Sequence, residues 1–339
     1  MTSPKNLLIL ICVSSFSFAM QRERTIPKSQ AIPTSNNPLD PYDCGYLDKM
    51  PTPDAALAKL AIEVAPVEIQ SLTHHLATEW IYDSCKPQNL LLYGDSGTGK
   101  TTLAQAIAIQ SGHPYSIVNC YWLGNETKGS TPSDNLYRIV NYALEQKQKP
   151  HIIILNDMDS FWKEDPIPAK TRTLRHLLKI HNDNPAFYFI GIATTPIQLN
   201  SYLGAFFDFE KIPLPQQVAR EKAITYNMKA LQQKASFQCS PQYLRHLSEK
   251  AEHFCFFYLD HLVKDAYTNA VVRNSDNKVV VTETDLEEAL HTLQKLGKRY
   301  GLLPKTVLDH VQEHPYCAIA AGTATAGALI ILARHLKNS

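Results

Sequence analysis

"LLLYGDSGTGKTTLAQAIA", Leu90 to Ala108, joins an apolar stretch to a helix-forming one through a turn that fits G-x-x-x-x-G-K-[ST] from Gly94 to Thr101. Glycines let backbone N–H groups turn inward, and the helix N-terminus adds its partial positive charge. Together they cradle phosphate. The expected nucleotide-binding set is Gly94, Asp95, Ser96, Gly97, Thr98, Gly99, Lys100, Thr101 and Thr102. Lys100 should reach the β- and γ-phosphates of ATP, and the Thr101 hydroxyl should ligate Mg²⁺. Such a loop joins a strand to a helix in a parallel sheet, so it also decides the fold class.

Working outward, short apolar stretches alternate with helical ones. The strand candidates are Asn89–Tyr93, Tyr115–Asn119, His151–Asn156, Ala186–Ala193 and a short Lys211–Leu214; helices fill Lys100–Gln110, Asp134–Gln148 and Thr171–His181. Apolar strands separated by helices mean a parallel sheet covered on both faces. The expected fold is α/β, a doubly wound parallel sheet over residues 55–214. Two amphipathic helices, Ala55–Val64 and Val67–Asp83, should precede the first strand, with a break at Lys86-Pro87. After Pro215 helical periodicity takes over, in "QQVAREKAITYNMKAL", "SPQYLRHLSEKA", "YLDHLVKDAYTNAVV" and "TETDLEEALHTLQKL", so residues 215–300 should form a small all-helical lid. Thr282, three residues before Asp285, is placed to cap the last helix.

At 339 residues, with 44% hydrophobic and 19% charged residues and a net charge of +1, the chain has the composition of a folded protein of about two domains. No charge surplus points to nucleic acid, and none is expected as a partner. The seven cysteines are scattered, without a C-x-x-C pair or a metal-ligand spacing with histidine, and read mostly as small buried hydrophobes.

Both ends of the chain are unusual. "MTSPKNLLILICVSSFSFAM" has Lys5, an apolar run from Leu7, and small residues at Ser17 and Ala19, the layout of a signal peptide over 1–19. Residues 20–54, rich in Pro, Ser and Asn, read as a linker. Residues 301–339 are expected to hold a C-terminal helix and a transmembrane segment over 316–333, "YCAIAAGTATAGALIILA", uncharged and followed by Arg334 and Lys337. A helix of that length, rising about 1.5 Å per residue, just spans a bilayer core. Ala318, Gly322 and Ala326 form a small-residue stripe suited to packing in lipid. A cleaved leader with a stop-transfer helix would leave the nucleotide module outside the cytoplasm, where ATP is scarce, so the side of the membrane stays open.

The order of parts from about Pro66 to Leu296 resembles the AAA ATPases of the AAA+ superfamily, most closely the AAA module of FtsH-type membrane proteases. "TRTLRHLL", Thr171 to Leu178, is similar to the family's R-T-L-N-Q-L-L helix; "LSEKAEHFCFFYLDHLVKDAYTNAV" follows its lid pattern L-A-x-x-T-x-G-F-S-G-A-D-L-x-x-L-V-x-x-A; "VTETDLEEAL" matches its final helix. The resemblance implies a P-loop NTPase fold with a helical lid, ATP and Mg²⁺ as ligands, a homo-oligomer such as a hexamer, and a protein partner that is remodelled. No H-E-x-x-H occurs, so the protease half is missing.

The departures bear on turnover. The family's D-E-x-D is matched by Asn156, Asp157, Met158 and Asp159. On that register Thr101, Asn156 and Asp157 are the expected Mg²⁺ set, and Asp157 is the residue that would activate water. A shift by one would put Asp157 on the metal side and Met158 where the base belongs. Thr195 stands for the sensor asparagine, and Phe206 stands where the family carries the arginine that reaches a neighbouring subunit's γ-phosphate; Arg172 or Arg175 are the substitutes at hand. The pore-loop position reads Thr127-Lys128-Gly129, with Tyr121 and Trp122 nearby, and the lid turn "HFCFFYLD", His253 to Asp260, has four aromatics where the family has small residues. Two readings follow: an ATPase that hydrolyses slowly and remodels a protein partner, or a scaffold in which ATP is a structural ligand or switch without meaningful turnover.

Overall fold

The computed structural model describes residues 50–78, 80, 87–123, 132–145, 150–159, 167–183, 186–195, 204–273 and 279–299. The signal peptide over 1–19, most of the 20–54 linker, the pore-loop residues 127–129 and the segment 316–333 lie outside them. All described residues fall in one compact unit, Pro41–Ser339. Among them, no helix is long and apolar enough to cross a membrane.

Five strands form one sheet: β1 (Asn89–Tyr93), β2 (Tyr115–Asn119), β3 (His151–Asn156), β4 (Phe187–Ala193) and β5 (Phe207–Lys211). Their order is β2-β3-β4-β1-β5, and every pairing is parallel. Helices α1 (Ala55–Glu63), α2 (Val67–Thr78), α3 (Lys100–Gln110), α4 (Cys120–Leu123), α5 (Pro132–Glu145) and α6 (Ile167–Asp183) accompany it. This is the doubly wound α/β architecture of a P-loop NTPase.

The sheet's two faces show why. Successive strand residues point to opposite sides, and here both sides are apolar. Leu90, Leu92, Ile152, Ile154, Tyr188 and Ile190 pack with α2 and α3, while Leu91, Ile153, Leu155, Phe187 and Phe189 pack with α4, α5 and α6. The run "TLAQAIA" of α3 is small or apolar except for Gln105, and Leu103 to Ala108 are all buried against the sheet. Burying a side chain of Leu or Ile size is worth about 1.5–3 kcal/mol. This double layer is therefore the main store of stability.

Two expectations need correction. The last strand of the sheet lies at Phe207–Lys211, ahead of Lys211–Leu214. β5 is an edge strand paired only with β1, and of its residues only Phe207 is fully buried; a search for wholly apolar stretches passes over it. The lid is also not all-helical. Its helices α7 (Gln217–Ala230), α8 (Pro241–Lys250), α9 (Phe256–Arg273) and α10 (Glu283–Arg299) are joined by a parallel pair, β6 (Ala235–Gln238) with β7 (Val279–Thr282). Strands of four residues are too short to break a helical pattern. Of the expected cap of α10 the reciprocal half is present: the Thr282 N–H and hydroxyl both donate to Asp285 Oδ2 at 2.7 Å, and Arg273 pairs with the same oxygen at 2.8 Å.

Candidate functional site

The C-terminal ends of β1, β3 and β4 converge, as expected for a crevice at the carboxyl edge of a parallel sheet. At β1 the chain turns through Gly94, with φ 146°, where a Cβ would lie 2.3 Å from the Ile212 carbonyl oxygen. Gly99, with φ 83°, is the N-cap of α3 and brings no side-chain cap, which leaves the first-turn N–H groups for a ligand. Lys100 is only 7% exposed, and its Nζ donates to the carbonyl oxygens of Gly94 and Asp95, each at 2.7 Å. Burial pushes the pKa of its ammonium down, and the carboxylates of Asp159, Asp95 and Asp157 work against that. The loop thus holds its lysine poised on its own backbone, exchangeable for phosphate oxygens.

At the end of β3, buried Asn156 accepts from the Thr101 hydroxyl at 3.1 Å, and its amide donates to Asp157 Oδ2 at 3.1 Å. Asp157 is exposed and has φ 55°, a left-handed conformation that Asp tolerates better than most residues. Met158 is buried, its sulfur beside Gly191 of β4, where an added Cβ would come within 2.6 Å of it. The register in which Met158 takes the base's place therefore has no support: that side chain faces the core.

At the end of β4, Asp159 Oδ2 accepts from the Thr194 N–H at 2.6 Å and the Thr195 N–H at 3.4 Å. Thr195 is exposed, and it is Thr194 that lines the cavity. Phe206 is buried, with the rings of Phe207, His181 and Phe189 at 4.6, 5.4 and 5.6 Å. It is a core residue of the β4–β5 corner. Of the two substitute arginines, Arg175 is exposed on α6, and the Arg172 side chain lies outside the described residues. Tyr121 is exposed on α4.

A cavity of about 890 Å³ opens over the loop, within the usual range for nucleotide-sized ligands. Its floor is Ser96 to Leu103, one wall is α1 and the following turn, and the other is Ile212–Pro215 with α7. Asp157 and Thr194 border the phosphate end. Gly94 and Asp95 shape the loop from behind and do not line the cavity. Two polar bridges tie α1 to α7 at the rim: Glu63 with Lys222, and the Tyr226 hydroxyl donating to Asp54 at 2.9 Å. The Leu57 N–H and then Tyr226 hold the Asp54 carboxyl below its ordinary pKa, while burial and Asp54 push Tyr226 up to about 12.

The lid turn seats directly on the loop. A Cβ on Gly97 would lie 2.6 Å from Cys255 Sγ and 3.1 Å from Phe257 Cβ; one on Gly99 would lie 3.2 Å from the Phe256 ring. Loop glycines are needed here for close approach of the lid as well as for phosphate. Burial pushes the Cys255 thiol's pKa up. Phe256, Phe257 and Asp260 complete the cavity wall, and Asp260 is paired with Lys264 at 2.6 Å.

Sequence reasoning did not single out Thr194 or Asp159 as site residues, and it marked Phe256 and Phe257 only as part of the aromatic lid turn. Asp159 had a signal, the D-x-D spacing in "NDMDS"; the others depend on which strand ends and helices meet. The oxygen donors gathered here (Thr101, Asn156, Asp157, Asp159) are the hard ligands that Mg²⁺ takes. Asp159 Oδ1 is buried with no hydrogen-bond partner, an orphaned acceptor that suits a cation's water shell.

Residues 90–213 match the family profile described as ATPase family associated with various cellular activities (AAA). The chain is 29% identical over 149 residues to Fidgetin-like protein 1 of Drosophila melanogaster, covering 41% of this chain and 28% of that protein. It is 27% identical over 173 residues to Vacuolar protein sorting-associated protein 4A of Homo sapiens, covering 46% and 36% respectively. The chain thus spans about a third of the length of these relatives, 28% and 36%. Among solved structures, the fold is similar to the FIGL-1 AAA domain in complex with ADP, at a TM-score of 0.55 and 17% identity, covering 84% of this chain and 90% of that one. The narrower likeness to FtsH-type modules rests on the sequence motifs alone.

Proposed function

We propose, from the match of residues 90–213 to the AAA ATPase family, that the chain binds ATP with Mg²⁺ in the cavity over the phosphate loop, hydrolyses it weakly, and couples this to remodelling of a protein partner. The observation that carries the reading is Lys100, buried in the loop and held by two backbone carbonyls that phosphate oxygens can replace. The first-turn N–H groups of α3 and the Lys100 ammonium hold the phosphates. The apolar walls from α1 and α7 take the nucleoside. Thr101 and Asn156 hold the metal side, and with Mg²⁺ bound, charge on the β- and γ-phosphates is neutralised. Asp157 orients the attacking water and accepts its proton.

Turnover is slow in this reading for stated reasons. Asn156 has no charge, Asp157 is exposed and turned back onto the Asn156 amide, and Phe206 cannot act as a finger. An arginine finger is worth about 10³–10⁵ in rate where it has been measured in GTPases. A homo-oligomer would share its sites without that contribution. The segments 1–19 and 316–333 add membrane attachment to the proposal, which protease protection of residues 50–299 in intact cells would test.

The deciding experiment measures ATP affinity and phosphate release on the full chain, its Lys100→Ala variant and its Asp157→Asn variant. Lys100→Ala should weaken ATP binding by about ten- to a hundredfold, the worth of a charge-assisted hydrogen bond; unchanged binding would overturn the site. Asp157→Asn should abolish the residual release and leave binding intact. Tight ATP binding with no release in the unaltered chain would select the other reading, a nucleotide-held scaffold.

A further inference from the structure

We propose that Asp159 supplies the metal-side negative charge that Asn156 lacks, accepting a hydrogen bond from the water shell of the nucleotide's Mg²⁺. The inference rests on the nucleotide reading above.

The three residues of the acidic turn divide sharply. Asn156 receives the Thr101 hydroxyl and so stands on the metal side, but it is neutral. Asp157 carries charge, yet it is exposed, where water screens it, and one oxygen is held by the Asn156 amide. Asp159 has one oxygen fixed by the Thr194 and Thr195 N–H groups, which orients the carboxylate. Its other oxygen is buried and has no partner.

A buried carboxylate oxygen without a donor is costly, and such atoms persist where a ligand completes them. Among the carboxylates acting on the Lys100 ammonium, Asp159 comes first, ahead of Asp95 and Asp157. Asp260, an acid of the cavity wall on the lid side, is paired with Lys264. Mg²⁺ keeps several waters and is held through one or two carboxylates plus phosphates, so a carboxylate need not touch the ion to hold it. Asp159 also binds the turn that carries Thr194. One residue therefore joins the metal side to the end of β4.

The test measures the Kd for ATP in EDTA and in excess Mg²⁺ on the full chain; the ratio is the magnesium enhancement. Asp159→Asn keeps an oxygen for the Thr194 and Thr195 N–H groups, so metal-free affinity should stay within about twofold while the enhancement falls about tenfold. Asp157→Asn should change the enhancement by less than about threefold. Asn156→Asp in the Asp159→Asn chain should restore it, a rescue that a merely structural role for Asp159 would not produce. An unchanged enhancement in Asp159→Asn overturns the proposal. Should that variant fail to fold, Asn156→Asp alone decides: a gain below about threefold supports Asp159 as the existing charge, and a gain of about tenfold shows that the site had none. Absence of ATP binding by the unaltered chain in both conditions would instead remove the nucleotide reading, and this one with it.

Discussion

The loop after β1 and the turn after β3 lie at the same edge of one sheet, with β4 between their strands, yet they are built on different terms. In the loop, the main polar contacts are made within the loop itself: Lys100 on two carbonyls and the Thr98 hydroxyl on the Asp95 carbonyl at 2.9 Å, with no side chain capping the α3 N–H groups. In the turn, the groups lean on other segments, Asn156 on Thr101 and Asp159 on Thr194 and Thr195, and one carboxylate oxygen is left over. Holding phosphate is a property of one contiguous segment. On the proposed reading, cleaving it would draw on three strand ends, so substitutions there would erode turnover while binding persists.

The largest expected effect tests whether the turn's missing partner can be put back. Phe206→Arg places an arginine where the resembled family has one, but it forces a charge among the rings of Phe189, Phe207 and His181. A loss of about 3–5 kcal/mol is expected, seen as a melting temperature about 10 °C lower, with no gain in phosphate release. A stable, faster variant would break the contrast between the two regions.

A smaller effect tests whether the loop is as self-contained as it looks. Gly97 has φ 79°, and a Cβ there would meet Cys255 of the lid. Gly97→Ala should cost about 1–3 kcal/mol and weaken ATP binding about tenfold in a calorimetric titration. Adding Cys255→Ala should recover part of that loss by removing the sulfur, and leave the backbone strain. No recovery would show that the lid contact contributes nothing to binding.

The smallest effect at neutral pH concerns the other end of the strand that carries the turn. His151 is buried, bonded through Nε2 to the Ser116 hydroxyl at 3.0 Å, with Nδ1 unpartnered, and burial lowers its pKa from 6.5 to about 4. The unfolded chain takes up the proton first as pH falls. Stability present above pH 6.5 is therefore lost between 6.5 and about 4, by about 3 kcal/mol from this group. Urea midpoints measured across that window should fall, and His151→Gln should flatten the slope. An unchanged slope would move the acid sensitivity elsewhere.

The strands and the phosphate loop were legible because each carries its own signal. β1, β2 and β3 begin and end where apolar periodicity places them, and α3 starts at the loop's lysine. β5 and the β6–β7 pair were not, since an edge strand and four-residue strands bury too little to leave a pattern. Within the site, Lys100 and Thr101 could be assigned from spacing alone. The roles of Met158, Asp159, Thr194, Phe256 and Phe257 could not, because each depends on what another segment brings to it.

Residue order by itself determined that phosphate has a cradle here, since a glycine turn, a lysine and a helix start are local in the chain and need only each other. Tertiary structure alone decided that Met158 faces the core, that Phe206 is locked among rings, that the lid rests on Gly97 and Gly99, and that Asp159 keeps a free oxygen. Those outcomes follow from burial and from hydrogen bonds between segments far apart in the chain, which no local spacing encodes.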